Sequence, residues 1–305
     1  MFQKRGIALL ITLLFIISIT FSVGVGLKQI NKANSSTKKE SFLIQTSIIL
    51  DDVMYLLQNT KELDNIVKNS SIEGLNIFLA QSAFIPFESS GIKMVIELHS
   101  ARSKFNLNTL VDKNGTIYVK REEALKIYLG EKKVNGAFVD MLEDLSSGFK
   151  EDMTYQSDIF NEKPNLFRDY IASLEHFNIV KKFYLQRYKE DDINQINFED
   201  FLYFSKERAR YKIDLNYATQ DVWKMLLGCD ILRAKELVNG SGTYTKLDNL
   251  YLSDDEKLHL ANFNVSYFEP YIDVKVEIIQ NNMSAKIRFE YDMKTKKGSN
   301  FSYEI

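Results

Sequence analysis

The longest uncharged apolar segment of the chain lies near its start, and its length predicts a membrane-spanning helix. Residues 7–27 contain no charged side chain and are bracketed by Lys4 and Arg5 on one side and by Lys28 on the other. At about 1.5 Å per residue, a helix of this length crosses a bilayer core of roughly 30 Å. Because Lys4 and Arg5 lie on the short N-terminal side, we expect the N-terminus to stay cytoplasmic.

A second periodic pattern follows this segment. Apolar residues recur at three- and four-residue steps from Phe42 to Val67, and polar residues such as Asp51 fill the positions between them. This spacing predicts an amphipathic helix within residues 28–68. The helix either continues the membrane helix as one long stalk or lies on the surface as a separate element, and periodicity alone leaves both open.

Strand patterns occur on both sides of a long central region. Ile92–Leu98 alternates and is rich in β-branched residues. Tyr271–Ile279 and Ser284–Tyr291 alternate as the two arms of a hairpin, and Phe301–Ile305 adds a last short strand. Because an isolated hairpin is marginally stable, the sequence predicts that these strands form one small antiparallel sheet packed on the amphipathic helix.

The central residues 111–262 are predicted to be mainly helical. The predicted helices are Lys120–Leu129, Gly136–Leu145, Pro164–Phe177, and two short helices between Thr219 and Gly242. Thr219 is suited to cap the first of the short pair, and Gly240 and Gly242 to end the second. The predicted fold class is therefore α+β, with a large inserted all-α domain that contains a helix-hairpin-helix-like unit.

Composition removes several functional classes. The 305-residue chain has a formal charge of −2, so no basic excess indicates nucleic-acid binding. Its single cysteine, Cys229, excludes an intrachain disulfide. A helix-hairpin-helix can bind a DNA phosphate through backbone N–H groups. Here Asp230 in the turn would repel a phosphate, and Arg233 and Lys235 are too sparse for DNA binding.

Catalytic motifs are missing from the sequence. His99, His176 and His259 lack metal-ligand spacing, and Cys229 has no histidine nearby in the sequence. No phosphate-binding loop, dinucleotide fingerprint or nucleophile elbow is present. The acidic residues within 140–158, 190–192 and 254–256 read as solvated faces and caps. We therefore predict a protein that is not an enzyme and has no catalytic residue and no certain cofactor.

The residues before the apolar segment form a short leader, Met-Phe-Gln-Lys-Arg-Gly, that ends at Gly6. A cleaved secretory signal and a plain N-terminal anchor are alternatives, although the apolar run is too long for the former. The leader resembles the class III signal of type IV prepilins and pseudopilins. That resemblance implies that prepilin peptidase cleaves between Gly6 and Ile7, and that the retained helix, with Ile7, Leu14 and Leu27 along it, anchors the protein.

One departure from that family narrows the resemblance. Most prepilins carry Glu at the fifth mature position, where this chain has Ile11. Absence of that Glu is typical of the K-type minor pseudopilins (the GspK family) of type II secretion. Lys104–Leu110 resembles the Arg-Phe-Asn-Leu-Asn-x-Leu signature of that family, in which the asparagines are suited to bond the local backbone and turn the chain. Ile213–Thr219 and Ser173–Glu175 are similar to two further elements, whereas Asp140–Asp144 lacks the family's Trp.

The resemblance spans nearly the whole chain and implies a domain order. It divides the chain as follows: leader 1–6, transmembrane helix 7–27, stalk helix 28–68, first part of a pilin-like domain 69–110, inserted helical domain 111–262, and closing strands 263–305. It also allows a structural calcium ion, for which the sequence names no ligands because no EF-hand spacing is present.

The implied function is assembly of a type II secretion pseudopilus, with this chain at its tip. The implied partners are the I-type and J-type minor pseudopilins, the major pseudopilin, prepilin peptidase, the inner membrane, and the outer-membrane secretin or its cargo. The folded domain is then periplasmic. A tip subunit of a competence or type IV pilus system, and a membrane-anchored DNA-binding protein, remain alternatives.

Overall fold

The computed structural model describes residues 37–89, 92–151, 154–280 and 283–304. Within them, an antiparallel sheet carries helices on one face, and a second group of helices forms a separate core. The predicted mixture of helices with a small antiparallel sheet is confirmed.

The strands of the described residues come from both ends and from the middle of the chain. In chain order they are β1 (Ile85–Ser89), β2 (Ile92–Ser100), β3 (Phe105–Asn106), β4 (Leu202–Tyr203), β5 (Ile213–Asp214), β6 (Val265–Ser266), β7 (Tyr271–Gln280), β8 (Met283–Asp292) and β9 (Lys297–Glu304). The main sheet has the order β1-β2-β7-β8-β9, and β3–β4 and β5–β6 are two short parallel pairs.

Alternation along the strands decides which face of the sheet is buried. Ile272, Val274 and Val276 of β7 are buried against the helices, whereas Lys275 and Glu277 lie on the opposite face. A one-residue slip would move this apolar set to the outer face, so the hydrophobic pattern fixes the register. The strands predicted at both sides of the central region are thus all present in one sheet, each extended by one to four residues.

The helices on the buried face come from the N-terminal part of the described chain. They are α1 (residues 37–59), α2 (Lys61–Asn69) and α3 (Ile72–Ser82). The amphipathic helix predicted to run to residue 68 is interrupted at Thr60, whose backbone is extended. The side chains of Asn59 and Thr60 donate to the carbonyls of Tyr55 and Leu56, which offers the backbone an alternative to helical bonding.

Two elements of this region were not predicted. Helix α3 begins at Ser71, whose hydroxyl accepts a hydrogen bond from the Gly74 N–H, although residues 69–74 read only as a break. Strand β1 contains Pro86 and lies at the edge of the sheet, where a missing N–H is tolerated.

The remaining helices form the second group, between β2 and β7. They are α4 (Val119–Glu131), α5 (Ala137–Ser146), α6 (Ile159–Glu162), α7 (Leu174–Tyr188), α8 (Phe198–Phe201), α9 (Gln220–Leu227), α10 (Ile231–Asn239) and α11 (Asp254–Leu260). Helices α4, α5, α9 and α10 were predicted. Thr219 caps α9 by accepting from the Val222 N–H, as expected from its sequence position.

The helix predicted over Pro164–Phe177 is wrong. The segment up to Ser173 forms turns, and α7 begins only after Ser173, whose hydroxyl caps it. Two bonds hold this backbone outside a helix: the Asp169 N–H donates to the distant Leu145 carbonyl, and the Arg168 side chain donates to the nearby Pro164 carbonyl. A local sequence pattern cannot predict the bond from Asp169 to Leu145, because the two residues are far apart in the sequence.

The backbone passes from the sheet into the helical group after β2 and returns to the sheet at β7. Strand β5 pairs with β6, and the Asp214 N–H donates to the Arg102 carbonyl, so the two crossing segments lie side by side. We call the residues between β2 and β7 the helical insertion. The exact domain boundaries drawn from the sequence stay predictions.

Candidate functional site

The residues proposed for processing and anchoring, Gly6, Ile7, Leu14 and Leu27, lie outside the described residues. Within the described ranges, no helix combines the length and apolar character that crossing a bilayer requires. The candidate surfaces discussed below therefore belong to the folded part of the chain.

Helix α1 has two apolar faces. Phe42, Val53 and Leu57 are buried against the sheet. On the opposite side, Ile44, Ile48 and Tyr55 are 62%, 54% and 65% exposed. We call these three residues the outer stripe. They recur at steps of four and seven residues, which places them in one line along the helix. A line of large exposed apolar residues on a helix is typical of a surface that packs on another helix.

The asparagines of the Lys104–Leu110 motif brace the helical insertion. Asn108 is fully buried, donates to the Ile171 carbonyl at 2.9 Å and accepts from the Ile171 N–H at 2.7 Å. Asn106 bonds both the N–H and the carbonyl of Ser205, at 3.1 and 3.0 Å. The predicted local bond exists, from the Asn108 N–H to Asn106. The main partners, however, are distant in sequence, so the motif is chiefly a tertiary brace.

The two helices of the predicted hairpin unit, α9 and α10, are joined through Gly228, which adopts a left-handed conformation. Asp230 caps α10 by accepting from the Arg233 N–H at 2.8 Å. Arg233 itself binds Glu256 and the carbonyls of Leu250 and Tyr251. A phosphate at this turn would meet a carboxylate and an arginine that is already engaged, which disfavours the DNA-binding alternative.

Three carboxylates come close together between α4 and α5. Oxygens of Glu122, Asp140 and Glu143 lie within 4.8 Å of one another. The Lys126 ammonium contacts two of them, at 2.6 Å from Asp140 and also at Glu122. Calcium requires six to eight oxygens, and this group supplies three carboxylates beside a resident ammonium. The group does not fit a calcium ion as it stands.

Glu143 is the unusual member of this group because it is fully buried. Its Oε2 accepts from the Gln156 amide at 3.0 Å, whereas no group in the described part of the chain bonds its Oε1. Burial, reinforced by the charge of Glu122, raises the pKa of Glu143 to about 8. The side chain is therefore largely protonated at neutral pH. The neighbouring Asp144 accepts three bonds from Gln156 and Ser157 and shapes the following loop.

The three histidines lie on different elements of the described structure. His99 is on β2, His176 is at the start of α7, and His259 is on α11 beside Gly228. Burial raises the pKa of Cys229 to about 11, which keeps its thiol protonated and unreactive at neutral pH.

Sequence reasoning missed the contact between Arg102 and Glu290. Both side chains are buried, and they form a paired-hydrogen-bond ion pair between the start of the helical insertion and β8. The two residues are 188 positions apart, so no local pattern joins them.

Comparison with solved structures gives a likeness of fold. No protein-family model matches the sequence, and no curated protein matches it at a significant level. Among solved structures, a chain from the crystal structure of the GspK-GspI-GspJ complex of the enterotoxigenic Escherichia coli type 2 secretion system aligns with a TM-score of 0.56. The alignment covers 88% of this chain and 97% of the other, at 12% identity. At that identity the likeness is one of fold.

Replacing Asn108 by Ala is expected to lower the free energy of unfolding by about 2–4 kcal/mol, because the buried N–H and carbonyl of Ile171 lose their partner. Urea unfolding followed by the fluorescence of Trp223, the single tryptophan, measures this change. The exposed Asn161, replaced by Ala, is the matched control. A loss below about 0.5 kcal/mol for the Asn108 variant would contradict the bracing role.

Replacing Glu143 by Gln is expected to stabilise the protein at alkaline pH only. The folded pKa of Glu143 lies above that of an unfolded chain, so the wild type loses stability as pH rises from about 4 to 8. The variant should therefore exceed the wild type by roughly 2–4 kcal/mol at pH 8 and by little at pH 4. Urea unfolding at both pH values measures the difference, with the exposed Glu207→Gln as control. A difference that does not change with pH would refute the assignment.

Proposed function

We propose that this chain is a minor pseudopilin of the K type, placed at the tip of a type II secretion pseudopilus. Its role is assembly of the export apparatus, and no reaction is assigned to it. The observation that carries the proposal is the fold likeness to a chain of the GspK-GspI-GspJ complex, which extends over 88% of the chain. The motif of Lys104–Leu110 and the leader that ends at Gly6 support it independently.

The proposed anchoring follows from the leader. Prepilin peptidase cuts between Gly6 and Ile7, and the apolar helix beginning at Ile7 remains in the inner membrane. The N-terminus is cytoplasmic before cleavage, and the folded domain with its sheet and helical insertion is periplasmic.

The proposed assembly surface is the outer stripe of α1. Its three apolar side chains are exposed, although the same helix already buries its other face on the sheet. Packing on a neighbouring subunit's helix would remove this apolar surface from water. Each Å² of apolar surface buried stabilises the contact by about 25 cal/mol. The partners proposed for this contact are the I-type and J-type minor pseudopilins.

The N-terminus of the native protein tests the processing step. We expect intact-mass analysis of membrane-extracted protein to give a chain that starts at Ile7. The Gly6→Val variant should retain the leader, because a β-branched side chain obstructs a site that needs an unhindered backbone. Native protein that still carried Met1–Gly6 would rule out the prepilin assignment, and a free chain cut after Leu27 would rule out any anchor.

The outer stripe is tested by placing a charge on it. We expect Ile48→Glu to reduce incorporation into the pseudopilus more than tenfold, because a buried unpaired carboxylate costs several kcal/mol in a helix interface. Cross-linking of membranes, with blotting for the I-type and J-type minor pseudopilins proposed as partners, measures incorporation.

Leu56→Glu is the matched control for this charge. Leu56 is 63% exposed on the same helix but lies outside the stripe, so we expect incorporation to be retained. Equal loss in both variants would mean that the stripe is not the contact.

A further inference from the structure

The sheet and the helical insertion have separate apolar cores. One buried cluster lies within residues 105–263, and the other combines α1, α2 and α3 with the main sheet. The partly buried Tyr217 and Phe268, which lie between β2 and β7 in the chain, pack against the cluster of the sheet. Buried polar contacts also join the two parts where they meet.

The central contact at that boundary is an ion pair. Arg102 follows β2 by two residues, and Glu290 lies on β8. The side chains are 5% and 6% exposed, and the guanidinium donates to both carboxylate oxygens, with Nη2 to Oε1 at 2.8 Å. Paired donors of this kind fix the relative orientation of the two groups as well as their distance.

Aromatic rings enclose the pair and come from both parts of the molecule. The Arg102 guanidinium carbon lies 3.9 Å from the ring centre of Tyr271, at the start of β7, and 4.7 Å from that of Tyr211 in the helical insertion. The Tyr203 hydroxyl, also in the insertion, donates to Glu290 and accepts from Asn300 of β9 at 3.4 Å. Desolvated cation–aromatic contacts of this kind strengthen the hold on the guanidinium.

We propose that Arg102 and Glu290, enclosed by Tyr203, Tyr211 and Tyr271, form a joint that makes the sheet and the helical insertion move and unfold as one unit. Opening the boundary would break the paired hydrogen bonds and separate the guanidinium from the rings at the same time, so these contacts are lost together. A bidentate pair with stacked rings has one geometry, so the joint also sets the angle between the two parts. This inference does not depend on the proposed function.

The test is an unfolding experiment on the full chain in detergent micelles with two separate reporters. Trp223 is fully buried in the helical insertion and reports on that part, whereas hydrogen exchange of peptides from β7 and β8 reports on the sheet. In the wild type the two urea midpoints should coincide. In Arg102→Met/Glu290→Leu, which removes both charges and keeps apolar volume, they should separate by at least about 0.5 M.

The matched control is Arg233→Met/Glu256→Leu, a partly buried pair inside the helical insertion. It should shift both midpoints together, because the joint is intact. Coincident midpoints in the Arg102/Glu290 variant, or separate midpoints in the wild type, would overturn the proposal.

A second measurement covers the case in which the double variant does not fold. Tyr203→Phe removes only the hydroxyl that donates to Glu290. In a Cys229→Ser background, spin labels at the exposed positions Glu277 and Leu258 report the distance between sheet and insertion. We expect the distance distribution to broaden in Tyr203→Phe relative to the wild type. An unchanged distribution would overturn the role of the joint in setting the angle.

Discussion

Strands β2 and β7 pair in register from Ile92 opposite Gln280 to Ser100 opposite Ile272, although residues 101–270 lie between them. Closing a flexible loop of that length costs about 4–5 kcal/mol in chain entropy. The chain meets this cost by folding the intervening residues into a compact body whose two ends lie side by side. The β5–β6 pair and the bond from Asp214 to the Arg102 carbonyl hold those ends together. The sheet thus depends on the insertion, and the Arg102–Glu290 joint lies where both meet.

Polar groups inside the insertion specify which segments come together. A large aromatic and aliphatic core can pack in several ways, whereas a buried amide demands particular partners. Asn106 and Asn108 find theirs at Ser205 and Ile171. Replacing either amide by an apolar group of similar size would keep the volume but leave backbone groups unpaired. This explains why short loops without regular structure hold a fixed position in the helical insertion.

The parts of the fold that the sequence predicts are those decided by local patterns. Alternation locates β7 and β8, and a cap at Thr219 locates α9. Helix α3 was not predicted because it is apolar on most sides, so no helical period of 3.6 residues stands out in its sequence. Strand β1 was not predicted because it is short and contains Pro86, a residue that argues against a strand. The turns before α7, the ion pair of Arg102 and the burial of Glu143 depend on residues far away in the sequence, and periodicity holds no information about them. The apolar period from Phe42 to Val67 includes the residues of α1 that are buried, whereas the outer stripe was not predicted, because it lies on the side of Asp51 that was expected to be polar.

The inner face of α1 must be apolar for the fold, whereas the outer stripe need not be. Its inner face must be apolar because the sheet needs a cover, and any sequence with this fold meets that demand. Nothing in the described fold requires Ile44, Ile48 and Tyr55 to be apolar, since each of these side chains is more than half exposed. Exposed apolar residues are common one at a time, but three in line along a helix, with Asp51 between them, form a surface of defined direction. A fold likeness at 12% identity cannot by itself assign a role. The direction of this stripe along α1 adds an independent physical reason for assembly through that helix.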